Sequence, residues 1–321
     1  MRRTHMKKIT FTVILIAIFS AAACAAVIDS PDNSSGVAGK YSTIGIGAAA
    51  SGMGNAYLGA SQDAVSIFWN PAGLSNMKRK ETEWNMFFAH NMWLSNMNID
   101  NISVAKSFKN IGVFAAALSY YSYDNMEAYG LDYAQNPVDL HQTFSAYAAN
   151  ASIAYSNTLD KDIDYGIVMK YFYDNIDASA ANALAFDLGL RYFFSPLKGL
   201  SINLVAKNLG GQLGGDTMDK EIAFGALYTT EIEKWTVTAD YDVVGKIRNS
   251  AIQRVGVELK TPYFVTLRAG YSTDNTLVEN GFRNVCMGAG INVDQKYTVD
   301  FSFEPYGDLG NVYKASFGAD F

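Results

Sequence analysis

The sequence predicts an all-β protein: a transmembrane antiparallel β-barrel of about fourteen strands with an N-terminal hatch, or plug, segment in its lumen. Three observations predict it. From Trp84 onward hydropathy alternates with a period of two, and no stretch reaches the ~18 apolar residues of a spanning helix. The connections between alternating segments are short and long in turn, as in barrels with tight periplasmic turns and longer outer loops. The chain ends on Phe321, in a strand that puts Tyr313, Ala315, Phe317, Ala319 and Phe321 on one face.

Composition agrees. Of 321 residues 49% are hydrophobic, yet mean hydropathy is only +0.01, so apolar residues are diluted by polar ones all along the chain. The 20 Tyr and 19 Phe against 6 Pro favour strands. A formal net charge of −6 without a basic run argues against a nucleic-acid partner.

Residues 1–26 read as a secretory signal: Arg2, Arg3, Lys7 and Lys8 precede an apolar run over 9–19 and a small-residue cleavage region. A lipoprotein signal, with Cys24 as the lipidated residue, is the alternative. Cys286 alone then remains for an intrachain bridge, so no disulfide framework is expected. Residues 27–82 form the leader and hatch, and residues 83–321 the barrel.

The hatch is read from residues 45–74. Gly45, Gly47, Gly52 and Gly54 allow positive φ or close backbone approach. Small residues over 55–66 suit a short helix against another surface. Asn70 before Pro71, with Ala72 and Gly73 following, fixes a turn. No dinucleotide or P-loop glycine pattern is present. The run GMGNAYLGASQDAVSIFWNPAGL resembles the N-terminal signature of the PorV/PorQ family of outer-membrane proteins, relatives of the FadL fatty-acid transporters, whose hatch also carries an Asn-Pro-Ala turn. Family members often show two acids where this chain has Gln62 and Asp63.

The resemblance implies a non-enzymatic barrel in the outer membrane of a diderm bacterium, without cofactor or metal. Its partners would be membrane lipid, the barrel assembly machinery, which would read Phe321, and a hydrophobic small molecule such as a fatty acid. It implies hatch residues Gly52, Gly54, Asp63, Asn70, Pro71, Ala72 and Gly73, with Met53, Phe68 and Trp69 as apolar hatch residues that would touch the ligand. The alternative it carries is a PorV-like role in type IX secretion, docking exported proteins.

The strands follow in order, near Trp84, Ile99, Ile111, Thr143, Asp162, Ala181, Leu200, Glu221, Trp235, Ser250, Tyr263, Asn284, Tyr297 and Val312. Asp124 to Gln142 is read as a long loop. Trp84, Trp93, Tyr129 and Trp235 suit interfacial girdles. Parity sends Lys170, Asp187, Arg191, Lys207, Asp240, Asp242, Arg254, Glu258, Lys260, Arg268, Asp300, Glu304, Lys314 and Asp320 into the lumen, where both signs can cross-link wall and plug. His90 and His141, the histidines outside the signal, lack a nucleophile elbow or metal-ligand spacing.

Overall fold

The computed structural model describes residues 37–123, 126–132, 135–246, 251–274 and 284–321. The expected signal, Cys24 and most of the leader lie outside the described residues.

Fourteen antiparallel strands close a barrel in sequence order. They are β1 (Trp84–Met92), β2 (Met97–Phe108), β3 (Gly112–Tyr123), β4 (Ala146–Asp160), β5 (Ile163–Ile176), β6 (Ser179–Phe193) and β7 (Leu200–Gly210). The second half is β8 (Glu221–Ile232), β9 (Trp235–Lys246), β10 (Ile252–Lys260), β11 (Val265–Ser272), β12 (Val285–Val293), β13 (Tyr297–Pro305) and β14 (Asn311–Asp320). β14 pairs with β1, Tyr313 opposite Met92 through Asp320 opposite Asn85, so no edge is left open. The Phe321 N–H donates to the Trp84 carbonyl (2.8 Å), and its own carbonyl accepts from Glu83 and Trp84. One end carries tight turns; Glu233, Asp294 and Gln295 take the left-handed conformation that two- and three-residue hairpins need.

The opposite end carries most of the longer connections. The expected Asp124–Gln142 loop contains a hairpin, Met126–Leu131 with Pro137–Phe144. Its strands are short and the second is exposed almost along its whole length, so no buried face marks it in the sequence and the stretch reads as loop. Between β7 and β8, Asp216–Met218 pairs with Gln212–Leu213 and, in parallel, with Val37–Ala38 from the N-terminal segment.

The outer wall is apolar. Phe88, Ile102, Leu118, Ile153, Leu188 and Phe301 are exposed on it. Two aromatic edges bound this band. At the turn end rings touch from Phe108 to Phe114 to Tyr155 to Tyr165; at the loop end Tyr120, Tyr147 and Tyr173 do so. A closed antiparallel barrel with such a band is the architecture of the bacterial outer membrane, and the turn end is then the periplasmic one. Trp84 and Trp235 stand at the turn-end edge. Trp93 instead packs inward, edge-on to Tyr306 and under the Lys314 ammonium, and Tyr129 lies on the extra hairpin; neither belongs to a girdle.

The inner wall carries the parity-predicted charges, mostly paired. Lys170 binds Asp187 (2.6 Å), Lys246 lies 3.1 Å from Glu221, and Lys314 lies 3.2 Å from Glu304. Arg268 bridges Glu258 (2.7 Å) and Asp300 (2.6 Å). Removing one partner of a buried pair strands the other charge, whereas removing both does not. Lys170→Met should therefore destabilise the barrel by about 3–5 kcal/mol, while Lys170→Met with Asp187→Leu recovers most of that loss; urea unfolding followed by heat-modified gel mobility checks both.

Candidate functional site

The described part of the N-terminal segment, residues 37–82, threads the lumen from the loop end to the turn end. At the top, Lys40–Thr43 forms a 3-10 turn, and the Tyr41 hydroxyl donates to Asp174 of β5. At the bottom, the helix nearest the turn end is Asn76–Lys80, where Arg79 pairs with Asp164 (2.7 Å) and Lys78 donates to Asn157. Between these ends the segment touches every sector of the wall.

The helix at Ala48–Gly52 lies on β11–β14. The expected helix over residues 55–66 does not form. Gly54 and Asn55 take left-handed φ of 62° each, and the chain then turns so that four consecutive N–H groups face β9. Asp242 accepts from Tyr57 (2.8 Å) and Leu58 (3.1 Å); Asp240 accepts from Gly59 (3.0 Å) and Ala60 (2.9 Å). A helix would turn those donors onto its own carbonyls; here two carboxylates at i and i+2 on one strand face take them. Burial pushes the Tyr57 phenol above its ordinary range.

Asp63–Phe68 is a 3-10 segment packed on β1–β4, and Pro71–Ser75 is another packed on β3–β6. The predicted Asn70 turn forms as a cap. Its side-chain oxygen accepts from Ala72 (3.1 Å), and Pro71 occupies the first position, where its missing N–H costs nothing. The Asn70 amide reaches the Leu58 carbonyl and Asn203 (3.3 Å each). Arg191 ties the same region together, donating to Ser61 (2.8 Å) and Asn203 (3.1 Å).

The wall receives this segment through glycines that the sequence reading passed over. Gly166 and Gly189 are cross-strand partners, and a Cβ on either would fall against Pro71. Gly256 and Gly270 are likewise partners, and a Cβ on either would collide with Met53. Gly52 lies against Gly288, and Gly54 against Gly270 and Tyr271. The available signal was glycine at inward-facing positions in strand interiors, which marks close approach of another backbone.

The remaining predicted residues fall as follows. Gly73 and Ala72 are buried under Arg191 and β5. Asp63 has φ 64° and pairs with Lys80 (3.1 Å) near the turn end. Met53 is buried against the wall glycines. Phe68 packs on Phe87. Trp69 donates to the Ile46 carbonyl (3.0 Å) beneath the Lys207 ammonium. Met53, Phe68 and Trp69 thus contact protein rather than either of two cavities. A vestibule of about 1010 Å³ opens at the turn end, and a cavity of about 140 Å³ lies near the loop end. Cys286, the strand thiol, is free and lines the smaller one. His90 meets Asp100 on the outer wall (2.7 Å). Among the described residues no His, Cys, Asp and Glu cluster has metal-binding geometry.

The upper inner wall differs between sectors. On β2–β6 it carries two apolar clusters beside polar residues such as Asn101, Asn150 and Asp174: Met97, Ile99, Tyr121 and Ala148 form one, and Phe172, Ala183 and Ala185 the other with Leu213 and Met218. Tyr41 packs against both, 4.6 Å from the Tyr121 ring, with Ile44 and Trp93 beside it. On β10–β13 it is charged.

No family model and no curated protein matches the sequence. Solved structures do. The chain is similar to the toluene transporter TbuX of Ralstonia pickettii, at 12% identity over 86% of this chain and 98% of that one, TM-score 0.58. It is similar to the toluene transporter TodX of Pseudomonas putida, at 13% identity over 86% and 96%, TM-score 0.56. A FadL homologue of Pseudomonas aeruginosa matches at 11% identity over 87% and 99%, TM-score 0.50. At these identities the likeness is one of fold.

The carboxylates of β9 make a specific demand. Hydrogen bonds to a charged acceptor contribute on the order of 2 kcal/mol each. Replacing Asp240 and Asp242 together by Ala should speed hydrogen exchange of the amides of residues 57–60 at least ~30-fold, while the barrel amides stay protected; mass spectrometry of the exchanged protein in detergent reads this directly.

Proposed function

We propose that the protein is an outer-membrane transport or binding barrel for hydrophobic small molecules, with residues 37–82 as its hatch. The observation that carries this reading is the pair of apolar clusters on the inner face toward the loop end. A lumen that holds only water is polar, yet here Met97, Ile99, Tyr121 and Phe172 face inward and are covered by Tyr41, Ile44 and Trp93. A hydrophobic solute entering from outside would take the place these hatch residues hold. The shared fold with barrels described as toluene transporters supports the same class of solute.

In this reading Asn70, Pro71, Ala72 and Gly73 anchor the lower hatch to β5 and β6, while Gly52 and Gly54 let its upper half lie against β11 and β12. Met53, Phe68 and Trp69 would meet the solute only after the hatch shifts. Phe321, held at the seam, would serve as the assembly signal. The finer likeness of residues 45–74 to the PorV/PorQ signature rests on sequence alone, and so does the docking role for exported proteins.

Native mass spectrometry on protein extracted gently from outer membranes should show a retained hydrophobic molecule. Ile99→Ser and Phe172→Ser should lower that retention, and the uptake of a radiolabelled aromatic hydrocarbon by expressing cells, about tenfold, since each removes a large apolar contact worth 1.5–3 kcal/mol. Unchanged retention in both variants would place the solute elsewhere.

A further inference from the structure

The two cavities lie one above the other along the same strands. On β10, Arg254 lines the loop-end cavity and Glu258 the vestibule, with Gly256 between them. On β11 the order is Ser272, Gly270, Arg268, and on β13 it is Glu304, Ser302, Asp300. Inward-facing residues on a strand are spaced by roughly 7 Å, so a single row of residues separates the cavities. What fills that row from the plug is Met53, flanked by Gly52 and Gly54. The plug obeys the same division: Gly45 and Asn55 line the upper cavity, and Ile46, Ala50 and Tyr57 the lower.

Both spaces are polar on this side. The upper one holds Lys246 and Arg254 with Asp274 and Glu304. Burial opposes ionisation of Asp274, and the Arg254 guanidinium 3.0 Å away overrides it, holding that carboxyl below its usual range. Asn55 and Arg254 are more than nine-tenths buried there, and Asn55 Oδ1 and Arg254 Nε have no hydrogen-bond partner. Below the row, Thr238, Thr266 and Thr298 add hydroxyls beside Glu258, Arg268 and Asp300. Charges of both signs interleave, so the line of cavities has no single-sign field that would select a cation or an anion.

We propose that β10–β13 carry a second path, for small hydrophilic solutes and ions irrespective of the sign of their charge, and that Met53 is its seal. The path adjoins the apolar clusters of β2–β6, with Ile44 and Trp93 bordering both, but it does not depend on a hydrophobic solute being the cargo. A cavity of about 140 Å³ admits solutes no larger than about five water volumes. The seal is made of backbone and one flexible side chain against glycines. It can give way by a small movement of residues 52–54 and need not break the Asp240 and Asp242 anchors.

The test uses the full protein in planar lipid bilayers with potassium chloride as the probe. Met53→Gly should raise conductance at least tenfold over the parent. Leu74→Ala, which loosens the plug against the apolar cluster of β2–β5, should not. In Met53→Gly, a charged methanethiosulfonate reagent added at the turn end should modify Cys286 and block the current, and Cys286→Ser should abolish the block. Heat-modified mobility confirms the folded barrel, and Met53→Ala replaces Met53→Gly if the latter fails to fold. Parent-level conductance in the folded variant overturns the proposal. So does an equal rise in Leu74→Ala, which would mean general loosening, or a current that leaves Cys286 unmodified, which would mean another route.

Discussion

Four adjacent backbone N–H groups, from Tyr57 to Ala60, lie inside a closed wall and belong to no helix or ladder. Buried donors must be matched, and the match comes from two carboxylates on one strand. Asp240 and Asp242 fix the middle of the plug against β9. From that fixed point the chain runs one way to the glycine contacts of Gly52, Met53 and Gly54, and the other way through Asn70 and Pro71 to the Gly166–Gly189 pair. The rest of the lumen is arranged around this seating: Arg191 and Asn70 donate to the carbonyls of Leu58 and Ser61 that the same turn leaves behind, and Asn203 accepts from both of them.

The barrel itself was legible in the sequence. Each of the fourteen segments read from alternation coincides with a strand, because a wall with lipid on one side and a polar lumen on the other imposes period two on every residue. Parity also placed Lys170, Asp187, Arg268 and Glu304 inside, where they form ion pairs. Asn70 and Pro71 were legible because a cap followed by proline is a local signal.

What the sequence hid was contact between distant elements. Residues 55–66 carry helix-like spacing, but the spacing says nothing of carboxylates 180 residues further on that capture the backbone first. The wall glycines look like ordinary strand glycines until the plug lies on them. Met53, Phe68 and Trp69 look like a ligand-facing trio because they are large and apolar in a small-residue stretch; each in fact has a protein partner: the wall, Phe87 or Ile46. Trp93 looked like a membrane anchor and instead roofs the lumen beside Tyr306. Large residues do not disclose their neighbours, and only the register decides them.

The threading of residues 37–82 through a wall sealed by β14 against β1 has a further consequence for biogenesis. β1 starts directly after the plug, and its partner β14 is the last strand synthesised. The seam that joins the first and last barrel strands therefore closes around a segment that must already occupy the interior. Drawing that segment in afterwards would require it to pass lengthwise down a tube whose glycines and carboxylates fit it with little clearance. Seating of the plug and sealing of the cylinder are thus coupled steps.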